Sequence, residues 1–144
     1  SEWKIYSRNP GLPPHYIAAS AKVENSMISE GGNIYGNVDF SVLFAGVTIE
    51  EDAVVRDSII MPGAVVKKGA VVQYAIVAEN AVIGEGARVG ARPEEMEQRD
   101  SWGVAVIAAG VRVGDGAAVP ARAMVDADVP PAAEDAAPAG KEAR

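Results

Sequence analysis

The chain contains no cysteine and only one histidine. Without thiols there is no disulfide framework and no zinc–thiolate site, and the composition, while leaving the redox compartment open, fits a cytoplasm. Basic residues are also in the minority: 13 Lys and Arg stand against 20 Asp and Glu, for a net charge of −7. They are scattered besides, which argues against nucleic acid as a main partner, because affinity for polyanions depends on neutralising phosphates. No run of eighteen apolar residues exists to form a membrane span. The opening Ser-Glu-Trp-Lys lacks the charged and apolar regions of a signal peptide. Apolar residues three and four apart, the mark of an amphipathic helix, are missing as well. A soluble cytoplasmic protein is the expectation.

What the sequence does have is a ladder of aliphatic residues six apart, reset about every seventeen. In register, the copies read Ser41-Val-Leu-Phe-Ala-Gly-Val-Thr-Ile-Glu-Glu-Asp-Ala-Val-Val, Ser58-Ile-Ile-Met-Pro-Gly-Ala-Val-Val-Lys-Lys-Gly-Ala-Val-Val and Ala75-Ile-Val-Ala-Glu-Asn-Ala-Val-Ile-Gly-Glu-Gly-Ala-Arg-Val. Leu43, Ile49, Val55, Ile60, Val66 and Val72 carry the ladder, and two residues before nearly every rung stands a small side chain such as Ser41, Ala53, Ser58, Ala64 or Ala70. Period-two spacing puts rung and partner on one side of an extended strand, so both face inward. Gly31, Gly46, Gly63 and Asn80 share one repeat position, and Gly69 and Gly86 share another, as corners of positive φ require. Three short strands per coil with tight corners give a triangular prism whose coils pair as parallel strands ~4.8 Å apart.

This reading divides the chain into three parts. Residues 1–16 form a linker whose Trp3, Ile5, Tyr6, Leu12 and Tyr16 cover the first coil. Residues 17–125 form an all-β solenoid of about six coils. Within it the copy from Ser26 is two residues short, predicting a tighter corner at Tyr35 to Asn37, and a polar loop at 91–103 is thrown out from one corner before a last full coil. Residues 126–144, rich in Ala, Pro and charge, form a mobile tail.

Hexapeptide prisms often serve acyl transfer, which needs a histidine as general base, or γ-class carbonic anhydrase, which needs three histidines for zinc. The lone His15 precedes the first coil and reads as a surface residue of the linker. The triplets Gly84-Glu85-Gly86 and Gly114-Asp115-Gly116 coincide with repeat corners, so they are turns and not phosphate loops. Lys67 and Lys68 fall in register beside Glu50, Glu51 and Glu85, as an exposed charge ladder. In the polar loop, Arg92 and Arg99 are the candidates for holding an anionic effector, although four carboxylates share the segment. No catalytic residue and no metal ligand set is visible.

The opening Trp3-Lys-Ile-Tyr-Ser-Arg-Asn-Pro-Gly-Leu-Pro-Pro, with Val23-Glu-Asn-Ser-Met-Ile-Ser-Glu-Gly, Gly36-Asn-Val-Asp-Phe-Ser-Val-Leu-Phe-Ala-Gly-Val and Asp57-Ser-Ile-Ile-Met-Pro-Gly, closely resembles the C-terminal half of bacterial glucose-1-phosphate adenylyltransferase. The resemblance runs from Trp3 to about Val125. It implies a left-handed parallel β-helix, a hand that the repeat itself does not set. It also implies a longer polypeptide, in which an N-terminal nucleotidyltransferase domain joins ATP and glucose 1-phosphate into ADP-glucose and pyrophosphate for glycogen synthesis. That domain's Gly-rich loop, sugar-phosphate lysine and magnesium-binding aspartates are not in this sequence. Mg2+ and ATP are therefore expected in the other domain, no cofactor is expected here, and this stretch alone is expected to be inactive.

The resemblance further implies contact with the chain's own catalytic domain, assembly into a homo-tetramer, and allosteric control by an anionic sugar phosphate. Where enteric members carry effector-contacting arginines, this chain has Val106-Ile-Ala-Ala-Gly-Val-Arg-Val and a further coil, and the residue before Asn80 is Glu79. Fructose bisphosphate is therefore not carried over as the effector. Two alternatives stand beside this reading: a domain of a non-catalytic paralogous subunit of the same enzyme, and a free-standing hexapeptide acyltransferase.

Overall fold

Residues that alternate in and out over two or three positions, then turn, can bury their inward side chains only by stacking turn upon turn. The computed structural model, which describes residues 15–95 and 102–132, shows that stack as a left-handed parallel β-helix of about six turns with three flat walls. Wall A holds β1 (Tyr16–Ile17), β4 (Asn33–Ile34), β7 (Thr48–Ile49), β10 (Val65–Val66), β13 (Val82–Ile83) and β16 (Arg112–Val113). Wall B holds β2 (Lys22–Glu24), β5 (Asn37–Asp39), β8 (Val54–Arg56), β11 (Val71–Gln73), β14 (Arg88–Val89) and β17 (Ala118–Val119). Wall C holds β3 (Met27–Ile28), β6 (Val42–Leu43), β9 (Ile59–Ile60), β12 (Ala75–Val77), β15 (Ala105–Ile107) and β18 (Met124–Val125).

Pairing is parallel and in register on every wall, so like stacks on like. Val66 lies between Ile49 and Ile83, and Ile60 lies between Leu43 and Val77. The rungs and their small partners, Ala53, Ala64, Ala70, Ala81 and Ala87 among them, are fully buried. A wide residue and a narrow one on each strand fill a thin interior without leaving voids. Backbone groups are satisfied between coils, as where the Val65 N–H donates to the Ala81 carbonyl and that of Lys67 to Ile83, both at 2.9 Å.

Two of the three corners follow the glycine pattern. Gly31, Gly46, Gly63, Asn80 and Gly110 have positive φ at the corner between walls C and A, and Asp52, Gly69, Gly86 and Gly116 at that between A and B. The third corner, between B and C, is different. There Asn25, Phe40, Asp57 and Tyr74 take φ of 47–49° without any glycine. A hydroxyl ladder holds it: Ser26, Ser41 and Ser58 each donate to the carbonyl two residues before them and accept the N–H of Ser41, Ser58 and Ala75 in the next coil, at 3.1–3.2 Å. The short copy makes its tight corner with Tyr35 and Gly36, where any Cβ on Gly36 would stand 2.5 Å from the Ala53 carbonyl oxygen.

The polar loop leaves wall B after Val89, and the chain re-enters in register, with Ala105 paired to Ala75. At the other end, part of the expected tail is pinned. Val129 bridges Val113 in parallel, its N–H donating to the Arg112 carbonyl at 2.9 Å, while the Gly114 N–H donates to Val129 and that of Ala132 to Asp115. Residues 126–132 thus begin a further turn on wall A, because Val129 supplies one more apolar rung, partly buried against the core. The remainder of the expected tail, and residues 1–14 of the expected linker, lie outside the described residues.

Candidate functional site

Three surface features stand out from the repeat. The first is the root of the polar loop at the B/C corner. Tyr74 is held there in its left-handed backbone conformation, and Trp102 meets it edge-on, with ring centroids 5.3 Å apart and planes at 81°. The Trp102 indole N–H donates to the Ala91 carbonyl, so one side chain ties together the two ends of the excursion. Burial beneath this clasp, with Asp57 and Glu94 nearby, pushes the Tyr74 hydroxyl above its ordinary pKa, while Arg92 pulls it down.

Arg92 is therefore part of a small cluster with Tyr74 and Glu94, exposed just before the 3-10 turn Pro93–Glu95. Arg99 lies outside the described residues. Beneath the root, the Gln73 side chain is buried, and its Oε1 has no hydrogen-bond partner among the described residues. The loop was legible from sequence as a polar interruption. Its clasp was not, although a tryptophan in an otherwise polar segment is the signal that could have found it.

The second feature is a cleft of about 320 Å³ at the end of wall A. Lys67 and Arg112 line it with Gly84, Gly114, Pro130 and Pro131, and the neighbouring coil packs so closely on the two glycines that a Cβ on Gly84 would stand 2.6 Å from an Asp115 carboxylate oxygen. Asp115 and Asp128 also line it, but each directs a carboxylate oxygen to a backbone N–H, of Glu85 and Arg112 respectively, at 2.9 Å. The Gly84 and Gly114 triplets sit at turns, as their repeat positions predict. The charge ladder expected of Lys67 and Lys68 is corrected here. The Glu50 carboxylate accepts the backbone N–H of Lys68 at 3.0 Å, and no ion pair joins either lysine to a carboxylate among the described residues. A hydrogen bond to a fixed amide costs less side-chain freedom than aligning two long chains in water.

The third feature is the outer face of wall C. Its central outward residues are Met27, Val42, Ile59, Ile76, Val106 and Met124, one per coil, stacked in an unbroken column. The same column on wall A reads Tyr16, Asn33, Thr48, Val65, Val82, Arg112, and on wall B Lys22, Asn37, Val54, Val71, Arg88, Ala118. Only wall C is apolar from end to end, and Met27 and Met124 are 70% and 77% exposed.

His15 is exposed one residue before β1. No group of three His, Asp or Glu residues able to hold a metal ion occurs among the described residues, and no helix there is long and apolar enough to cross a membrane.

A family model described as GlmU-like, C-terminal hexapeptide, matches residues 15–105. The chain belongs to this hexapeptide family. Over 61 residues it is 59% identical to a glucose-1-phosphate adenylyltransferase of Bacillus thuringiensis (strain Al Hakam), and over 60 residues 60% identical to one of Bacillus mycoides (strain KBAB4). The match takes in 42% of this chain and 16% of each relative, so the chain corresponds to a small part of those proteins. The resemblance read from the sequence is thereby borne out. Among solved structures, a histidine-to-asparagine mutant of perosamine N-acetyltransferase from Caulobacter crescentus superposes with a TM-score of 0.52 at 19% identity, over 84% of this chain and 52% of that one. At that identity the likeness is one of fold.

Proposed function

We propose that this hexapeptide prism is the regulatory and assembly domain of a glucose-1-phosphate adenylyltransferase, the enzyme that joins ATP and glucose 1-phosphate into ADP-glucose and pyrophosphate for glycogen synthesis. The observation that carries the reading is the 59% identity over 61 residues to an adenylyltransferase. On this reading Mg2+ and ATP are held by a catalytic domain elsewhere in a longer cytoplasmic polypeptide. The prism contributes a stiff column to a homo-oligomer and a surface through which an effector acts.

Regulation is assigned to the loop 91–103. Arg92 stands beside Tyr74 and Glu94 at its root, and with Arg99 it supplies the positive charge for an anionic sugar phosphate. Binding there would act through the Tyr74–Trp102 clasp and so bias the contact with the catalytic domain, provided that contact has two discrete packings.

The decisive experiment is ADP-glucose formation by the full-length coding region, with the 144-residue chain as the inactive control. Activity is expected only with the upstream domain. A full-length protein that binds neither substrate would identify a non-catalytic subunit, and acetyl-CoA turnover by the short chain, abolished in His15→Ala, would overturn the proposal in favour of an acyltransferase. In an active enzyme, Arg92→Ala and Arg99→Ala are expected to raise the activating concentration of a sugar phosphate about tenfold or more without changing unactivated turnover.

A further inference from the structure

The wall C column has a property that neither of the other walls shares: it reads the same from both ends. From the first coil to the last its outward residues are Met27, Val42, Ile59, Ile76, Val106 and Met124, which is Met-Val-Ile-Ile-Val-Met. A two-fold axis lying in the plane of the face, along the strand direction and between β9 and β12, reverses the order of coils and leaves position along each strand unchanged. It sets Met27 against Met124 of a second copy, Val42 against Val106, and Ile59 against Ile76. Every residue meets its own kind, which is the self-complementarity that an isologous interface requires.

The neighbouring columns obey the same reversal by complementing instead of matching. Two residues further along each strand, the operation places Phe44 opposite Ala108 and Met61 opposite Ala78 of the second copy, a large side chain over a small one each time. Two residues earlier it brings exposed Phe40 against exposed Val104. The alternative, a two-fold axis parallel to the prism through the same central column, reverses position along each strand and would set Met27 on Met27 and exposed Phe44 on exposed Phe40 of the second copy, a large side chain against a large one. We infer that wall C binds a second copy of this chain, face to face with prism axes antiparallel.

The inference deepens the assembly role proposed above by naming its face and symmetry. Five strand spacings of ~4.8 Å by two residue pairs of ~6.8 Å make a flat area of roughly 330 Å², below the ~800 Å² per partner of a standard stable interface. The chain by itself therefore dimerises weakly and in a concentration-dependent manner.

Sedimentation equilibrium of the 144-residue chain over a wide concentration range is the first test. A monomer–dimer equilibrium is expected, and Ile59→Lys, whose outward side chain lies beside the axis, is expected to weaken it by a hundredfold or more with an unchanged melting temperature. Thr48→Lys on wall A is expected to leave it as it was. A dimer that survives Ile59→Lys would overturn the choice of face.

Because the chain has no cysteine, orientation can be read directly. Mixing Met27→Cys with Met124→Cys protein under mild oxidation is expected to give the mixed disulfide, and either alone is not. Rapid cross-linking of Met27→Cys to itself would overturn the antiparallel arrangement. A chain that stays monomeric throughout, with Met27 and Met124 shielded from alkylation only in a longer polypeptide, would assign the face to another domain and overturn the proposal. ADP-glucose formation is measured separately, so either conclusion can fail without the other.

Discussion

The interior around Ile60 and the loop root around Tyr74 lie within two coils of each other, yet they are held by opposite means. Ile60 is fixed by repetition: Leu43 below and Val77 above present the same shape at the same height, and the side chain is wholly buried. Tyr74 is fixed by contacts that occur once, an edge-on tryptophan and a hydroxyl ladder ending one residue later. A repeated interior makes each rung depend on its neighbours and leaves little room for change. A unique corner can be altered without disturbing the column, which is where a protein of this kind has scope for specific function.

The contrast is broken most directly from inside. Ile60→Ala is expected to cost about 2–5 kcal/mol by leaving a void between two immovable coils, read from denaturant titration. A loss well under 1 kcal/mol would mean that the neighbouring rungs collapse into the gap. Truncation comes next. Ending the chain after Val125 strips Val129 and its hydrogen bonds with Arg112 and Gly114 and is expected to cost ~2 kcal/mol, whereas ending it after Ala132 leaves those contacts in place. Equal melting temperatures for the two truncations would show that the extra turn on wall A contributes nothing.

At the loop root the expected effects are smaller. Trp102→Ala is expected to lower stability by about 1 kcal/mol, the scale of one aromatic pair and one hydrogen bond. The raised pKa of Tyr74 carries a sign that can be checked. An acid whose proton is held more tightly in the folded state contributes stability that is fully present below the unfolded pKa of about 10 and is lost as pH rises through the folded value. Tyr74→Phe is therefore expected to flatten the alkaline arm of a stability–pH curve. Smallest of all, Lys68→Ala is expected to change stability by less than about 0.5 kcal/mol, since its backbone N–H and not its ammonium engages Glu50.

Much of this column was legible in the sequence because an aliphatic rung and a small partner recur at positions that only a stacked coil can bury. Glycine corners were legible for a related reason: positive φ excludes most side chains, so Gly63 and Gly86 announce themselves. The B/C corner did not, since Phe40 and Tyr74 reach the same φ through a network of serine hydroxyls whose effect is spread over three coils. The Lys–Glu ladder failed for the opposite reason. Register brought the charges to neighbouring coils, but whether a carboxylate chooses an ammonium or an amide is decided by local geometry that a repeat does not encode. The Val129 rung was hidden by its setting among prolines and alanines, a composition that reads as unstructured.

The serine ladder has one more consequence. It joins coils of unequal length, because the Ser26 hydroxyl accepts the N–H of Ser41 fifteen residues on and the Ser41 hydroxyl that of Ser58 seventeen residues on, both at 3.1 Å. At Ala75 the hydroxyls stop, and the next coil is held by a main-chain bond from the Ala105 N–H to the Tyr74 carbonyl at 3.1 Å. A main-chain bond asks nothing of the length of polypeptide that precedes it. That storey is a natural docking port for variable cargo: segments of other lengths and chemistries could be exchanged between Ala91 and Gly103 while the masonry above and below keeps its courses.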